Sequence, residues 1–330
     1  MNIAIFHNAL DTIGGAEIVT LTLARELSAC IYTTNIDLEK IIQMGFADVL
    51  PRIISIGKIP KKAPFRQQLA LWRFKKLNLK NKHSFYIISG DWAISGAYHN
   101  KPNLWYVHSP LNELWQFKNF IRDTVVPLWQ RPIFDLWVHI NRRLTRKYAE
   151  KVDIFLANST NTKNRIEKYY KKSATVVHPP VEVSNYTWTP DRNYWLSVNR
   201  LTAHKRVDIQ MEAFAKLPDE QLIIVGSYEK GVSQFEKYKK KIEKIMPSNV
   251  KIYSWVSDKD LKKLYSECKG FITTARDEDF GLTVIEAQAS GKPVIAPNEG
   301  GFKETIIEGV TGRLIPDVDS NKVVDAMGSI

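Results

Sequence analysis

The sequence predicts an α/β protein built from two doubly wound, parallel-sheet domains, and three observations predict it. Its 330 residues are about twice the usual length of one domain. Short β-branched or aromatic runs recur along the whole chain, separated by helix-length amphipathic stretches. These runs are continuously apolar rather than alternating, as strands are when helices cover both faces of their sheet. The series breaks at Pro179-Pro180, where two prolines end a strand and the polar stretch EVSNYTWTPDRN follows. The expected domains are therefore 1–180 and 181–330.

In the first domain the expected strands are NIAIFH from Asn2, CIYTT from Cys30, RIISI from Arg52, FYIISG from Phe85, NLWYVH from Asn103, IFLANS from Ile154 and TVVHP from Thr175. After the first comes a loop, His7 to Ile13, and then Gly14-Gly15-Ala16-Glu17, which opens a helix. Paired glycines at a strand-to-helix turn let backbone N–H groups approach a phosphate. The turn lacks the GxGxxG spacing of a dinucleotide site, and by itself it is no more than a tight turn. The stretch PFRQQLALWRFKKLNLK from Pro64 is expected to be a helix with Phe65, Leu69 and Trp72 on one side, at i, i+4 and i+7, and Lys and Arg close by, a face suited to an anionic leaflet, while Phe74 and Leu77 fall elsewhere and suit the core. Leu111 to Val152, rich in aromatic and basic residues, is expected to form one or more long helices of this domain.

The second domain continues with YWLSVNR from Tyr194, LIIVG from Leu222, KIYSW from Lys251, FITTA from Phe271, PVIAP from Pro293 and GRLIP from Gly312. Ligands of such sheets sit at the carboxyl ends of the strands, so the loops there are where chemistry belongs. One such loop is SVNRLTAHKRVD, Ser197 to Asp208. Arg200 ends a strand and Lys205 lies at the start of the next helix, two cations suited to a diphosphate. The other is ARDEDFGLTVIEAQASGKPVIAP, Ala275 to Pro297. Here Glu278 lies in an acidic loop and Glu286 in a helix starting about Leu282. The N–H groups of Phe280, Gly281 and Leu282 open that helix and can bind phosphate. Glu278 would accept hydrogen bonds from sugar hydroxyls and Glu286 from a ribose diol. Asp277-Glu278-Asp279 also has the pattern of a metal-binding DxD. The two cations and the helix N-terminus can neutralise a diphosphate without Mg²⁺, and no metal is expected.

Composition bounds the function classes. With 44% hydrophobic and 25% charged residues, the chain is neither disordered nor of low complexity. Two cysteines, Cys30 and Cys268, make neither a disulfide framework nor a zinc site. The start, MNIAIFHNAL, has no secretion-signal pattern, and a cytoplasmic location is expected. Residues 1–180 hold 26 Lys and Arg against 13 Asp and Glu, whereas the remainder is close to neutral, so the net charge of +12 sits in the first half. Between Pro51 and Gly90 there are ten basic residues and no acid. Such asymmetry suits a polyanionic partner or is simply a solvated face.

The pair Glu278 and Glu286 inside EDFGLTVIEAQASGKPVIA, with VNRLTAHKRVD and the early GGAE turn, resembles the retaining family 4 glycosyltransferases. The resemblance covers nearly the whole chain. It implies the GT-B architecture, two Rossmann-like domains facing across a cleft, with a nucleotide sugar held mainly by the second. It also implies that Gly15, alongside Gly14, with Arg200 and Lys205 contacts the diphosphate, Glu278 the sugar and Glu286 the ribose. Trp255 and Val256, in SWVSDKDLKKLYSECKGFI, would border the base. YVHSPLNELW from Tyr106 and TVVHPPVEV from Thr175 look like segments of O-antigen-type and archaeal mannosyltransferases, which implies GDP-mannose as donor and His108 near the donor sugar. The sequence departs from the family at Asn199, commonly a glycine, and ends at Ile330, short of the C-terminal helices that commonly cross back over the first domain.

The expected activity is therefore metal-independent, retaining transfer of a hexose, mannose above all, onto a glycan or lipid-linked acceptor. The partners expected are a nucleotide sugar and an anionic membrane surface on the cytoplasmic side, with no nucleic acid and no cofactor. A sugar-nucleotide epimerase of the same architecture and a nucleic-acid-binding protein using the basic half are the competing readings.

Overall fold

The computed structural model describes residues 2–60, 66–226 and 233–330, the side chains of 233–236 excepted. The described chain divides into two compact units, Met1–Pro180 and Val181–Ile330.

The first unit runs β1 (Ile3–Phe6), α1 (Gly15–Glu26), β2 (Cys30–Thr33), α2 (Leu38–Gln43), β3 (Ile53–Ser55), α3 (Arg66–Lys76), β4 (Phe85–Ile88), β5 (Asn103–Val107), α4 (Lys118–Thr124), α5 (Arg131–Ala149), β6 (Ile154–Ala157), α6 (Thr160–Tyr170) and β7 (Thr175–Val176). Its strands form one sheet in the order β3-β2-β1-β4-β5-β6-β7, and every pairing is parallel. Both faces are buried. Ala4 and Phe6 of β1 join one apolar cluster with Phe74, Tyr86 and Trp105, while Ile3 and Ile5 join another with Leu21 and Ile41. That is why the strand reads as an unbroken apolar run.

The second unit runs β8 (Tyr194–Val198), α7 (Val207–Ala215), β9 (Gln221–Val225), α8 (Ser233–Ile245), β10 (Val250–Tyr253), α9 (Asp258–Glu267), β11 (Gly270–Ile272), α10 (Leu282–Ala289), β12 (Val294–Pro297), α11 (Phe302–Thr305), β13 (Gly312–Ile315) and α12 (Ser320–Met327). Its parallel sheet has the order β10-β9-β8-β11-β12-β13. Again one strand serves two cores: Trp195 packs into one cluster, Tyr194 and Leu196 into the other.

Each sheet reverses its winding once, between β1 and β4 in the first unit and between β8 and β11 in the second. At such a switch point the neighbouring loops diverge to opposite faces and leave a crevice at the carboxyl ends of the strands.

Phe65 lies outside the described residues, and the core face of α3 is formed by Ala70, Leu71 and Phe74. Trp72 is exposed, with the Lys76 ammonium 3.9 Å from its ring centroid. Phe74 packs on Phe6 and Ser95 donates to the Leu71 carbonyl, contacts made with distant segments that helical spacing alone does not disclose.

Candidate functional site

In the second unit Arg200, Lys205 and Glu278 fall on the two loops that flank the switch point, Glu286 lies in α10, and Trp255 and Val256 follow the edge strand β10. β8 ends at Val198, and Asn199, buried, donates its amide to Ser197 Oγ at 2.6 Å. Its φ is not positive, so the backbone here accepts a side chain where the resembled family commonly has glycine. Arg200 follows, exposed. A short 3₁₀ turn at Ala203–Lys205 and a left-handed Arg206 (φ 50°) then lead into α7.

Lys205 forms an ion pair with Glu278, which comes from the loop after β11. Burial raises the Glu278 carboxyl, but the Lys205 ammonium, with Arg200 adding to it, outweighs that and holds the group below the ordinary carboxylate range. Glu278 is thus a carboxylate. Burial, then Lys205, pushes His204 down to about 3, so this imidazole stays neutral. Glu286 is the opposite case. Burial raises it, and the Tyr265 hydroxyl, donating to Oε2 at 2.7 Å, only partly offsets that. The two carboxyls therefore have different partners and opposite shifts. α10 has Gly281 as its N-cap (φ 95°) and no side-chain capping bond, so its first N–H groups lack an intrahelical acceptor. Trp255 is exposed and Val256 half-buried against the cluster of Tyr194 and Tyr265.

Two features of this loop were missed at the level of sequence. The Arg206 guanidinium donates to the Thr274 carbonyl at 2.6 Å and to Glu299 Oε1 at 2.6 Å, and Glu299 Oε2 accepts from the Asp277 N–H at 3.0 Å. This clamp ties the β8, β11 and β12 loops together. Beneath it lie Gly300 and Gly301: the Gly301 N–H donates to the Glu278 carbonyl at 2.7 Å, and a Cβ on Gly300 would stand 2.4 Å from that carbonyl oxygen. The signal was available, since Asn298-Glu-Gly-Gly301 is a second glycine pair just past a strand end.

In the first unit, Gly14 caps α1 without a side-chain bond, and α1 starts at Gly15. Behind this turn runs a buried hydrogen-bonded chain. His108 Nε2 meets Ser89 Oγ at 2.8 Å, Ser89 Oγ meets Thr20 Oγ1 at 2.6 Å, and Thr20 Oγ1 meets His7 Nδ1 at 3.2 Å. His7 Nε2 lies 3.8 Å from Glu17 Oε1. The Thr20 hydroxyl donates its one proton to the Ala16 carbonyl at 2.7 Å. Ser89 must then donate to Thr20, and His108 must donate from Nε2 to Ser89. His108 is therefore the Nε2-protonated tautomer, with a lone pair on Nδ1. Burial, with His7 second and Glu17 opposing, holds its pKa at about 3, so it is neutral. It can accept a hydrogen bond from a hydroxyl. Ser89, Thr20 and His7 were not singled out in the sequence.

Among the described residues no group of three or more His, Cys, Asp or Glu side chains could hold a metal ion. Glu278 of the DxD-like run has Lys205 as its partner.

Two parallel sheets with switch-point loops of this kind define the GT-B glycosyltransferase fold. Anabaena Alr3699/HepE, solved in complex with UDP and glucose, superposes with a TM-score of 0.76 at 18% identity, over 100% of this chain and 89% of that one. Sucrose-phosphate synthase of Thermosynechococcus elongatus gives 0.74 at 18% identity, over 99% and 88%. Residues 181–330 match the model of the family described as "Glycosyl transferases group 1". The chain is 25% identical to the alpha-1,3/1,6-mannosyltransferase ALG2 of Dictyostelium discoideum, over 95% of this chain and 86% of that protein. It is 44% identical to an uncharacterized 41.2 kDa protein in the cps region of Klebsiella pneumoniae, over 26% of this chain and only 24% of that protein's length.

Proposed function

We propose that this GT-B protein is a retaining family 4 glycosyltransferase that moves a hexose, mannose from GDP-mannose, onto a glycan or lipid-linked acceptor, without a metal. The observation that carries the proposal is the cluster at the second switch point: Arg200 and Lys205 after β8, with Glu278 after β11, ion-paired to Lys205. Two cations and an uncapped helix N-terminus suit a diphosphate that gains charge as the glycosidic bond breaks. Arg200 and Lys205 stabilise the leaving diphosphate, which accepts the acceptor hydroxyl's proton on the same face of the sugar. Glu278, held ionised, accepts hydrogen bonds from sugar hydroxyls, and Glu286 is assigned to the ribose. Gly14 and Gly15 are assigned to the diphosphate, and His108, through its Nδ1 lone pair, to a sugar hydroxyl. Trp255 and Val256 are assigned to the base. Mannose is supported by the relatives named mannosyltransferases, and the UDP bound by the Anabaena protein makes UDP-glucose the comparison donor. The proposed location is the inner face of the cell membrane, peripherally attached.

The test is a panel of nucleotide sugars scored by donor hydrolysis and thermal stabilisation, with GDP-mannose expected to give the largest response. Arg200→Ala and Lys205→Ala should each lower turnover on the order of 10²-fold, the first with folding nearly intact and the second with some loss of stability, because it leaves the Glu278 carboxyl without its partner. Turnover near wild type in both variants would remove the diphosphate assignment.

A further inference from the structure

α5 packs on its unit through Val138, Asn141, Thr145, Tyr148 and Ala149. At 100° per residue, the opposite side of the helix carries Ile133, Leu136 and Ile140, continued towards the N-terminus by Trp129 in the turn Leu128–Gln130. These four side chains are 65, 60, 48 and 74% exposed. A surface helix ordinarily turns charge, not a row of large apolar groups, towards water. Past Ile140 the same side passes to Arg143 and Lys147, both exposed. The one acid within α5, Asp135, is engaged by Lys118 and Arg122 of α4, so the apolar row itself carries no free negative charge.

We propose that this side of α5 is the surface by which the first unit lies on an anionic lipid bilayer. Trp129, Ile133, Leu136 and Ile140 enter the headgroup–acyl boundary, and Arg143 and Lys147 meet lipid phosphates. Charge decides between lipid and a second copy of the chain. The 1–180 half carries an excess of 13 basic residues, and against the exposed Arg143 and Lys147 the end of α5 offers one exposed carboxylate, Glu150 at its C-cap. The element proposed is α5 rather than the basic α3, which among its described residues exposes one large apolar side chain, Trp72. This deepens the proposed function, since it rests on that reading for the lipid-linked acceptor but not for the binding itself.

The experiment is co-sedimentation with vesicles of phosphatidylglycerol and phosphatidylethanolamine, against phosphatidylcholine alone. Binding is expected only to the anionic vesicles and should weaken with salt. A triple variant, Ile133→Ser with Leu136→Ser and Ile140→Ser, should lose about tenfold or more of the partition coefficient. Arg143→Glu with Lys147→Glu should abolish the salt-sensitive part, and Lys75→Glu with Lys76→Glu in α3 should bind nearly as wild type. Donor hydrolysis should be unchanged in the triple variant, which separates failure of this proposal from failure of the transferase reading. Sedimentation of the triple variant equal to wild type overturns the proposal. So does a wild-type dimer in solution that the triple variant converts to monomer.

Discussion

At the scale of single residues, the neutral histidine is the feature with the most testable consequences. His108 was legible because it ends a strand in a loop where ligands of such sheets bind. What holds it was not, because Thr20 and Ser89 stand 69 residues apart in the chain. With Ser89→Ala the Nε2 proton loses its acceptor, and the Nε2-H tautomer that ¹⁵N spectra should show for wild-type His108 is expected to mix with the other form. Turnover should fall by about tenfold or more while the far-ultraviolet spectrum stays unchanged. Folded His108 has a pKa of about 3 against 6.5 unperturbed. Between those values the unfolded chain binds more protons, so stability falls as pH drops below about 6.5. In His108→Gln the loss of Tm between neutral pH and pH ~4 should be smaller than in wild type. An unaltered Tm–pH slope would show that His108 titrates normally.

Among elements, the loops after β8, β11 and β12 behave as one piece. Arg206 and Glu299 tie them together, and Gly300 lets the third loop pass directly under Glu278. Gly300→Ala places a Cβ 2.4 Å from the Glu278 carbonyl oxygen at a φ of +60°, so both collision and strain arise. A loss of about 3 kcal/mol and a clear fall in turnover are expected, measured by denaturant unfolding and donor hydrolysis. Gly309→Ala separates the two causes. Its φ is +73° but nothing lies within 4 Å of the added carbon, so strain of about 1 kcal/mol should remain with turnover intact. Arg200, Lys205 and Glu278 were legible from residue type and strand-end position. The clamp was not, because Arg206 and Glu299 are joined only when β8, β11 and β12 come side by side.

For the whole molecule, the proposed chemistry is carried by protein cations and a helix N-terminus, so turnover should survive excess EDTA. Loss of activity restored by Mg²⁺ or Mn²⁺ would return Asp277, Glu278 and Asp279 to consideration as ligands. No helix among the described residues is long and apolar enough to cross a membrane, and the exposed side of α5 is the only membrane element proposed. The strands and the doubly wound class were determined by the sequence itself. A strand buried on both faces must be apolar at successive positions, and the helix that covers it must be amphipathic, and both are local patterns. Strand order was decided only by tertiary structure. So were the pairing of Lys205 with Glu278, the chain from Ser89 to His7, and the side of α5 that meets solvent. Each of these depends on contacts between segments tens of residues apart, and such contacts leave no periodic trace in the residues that make them.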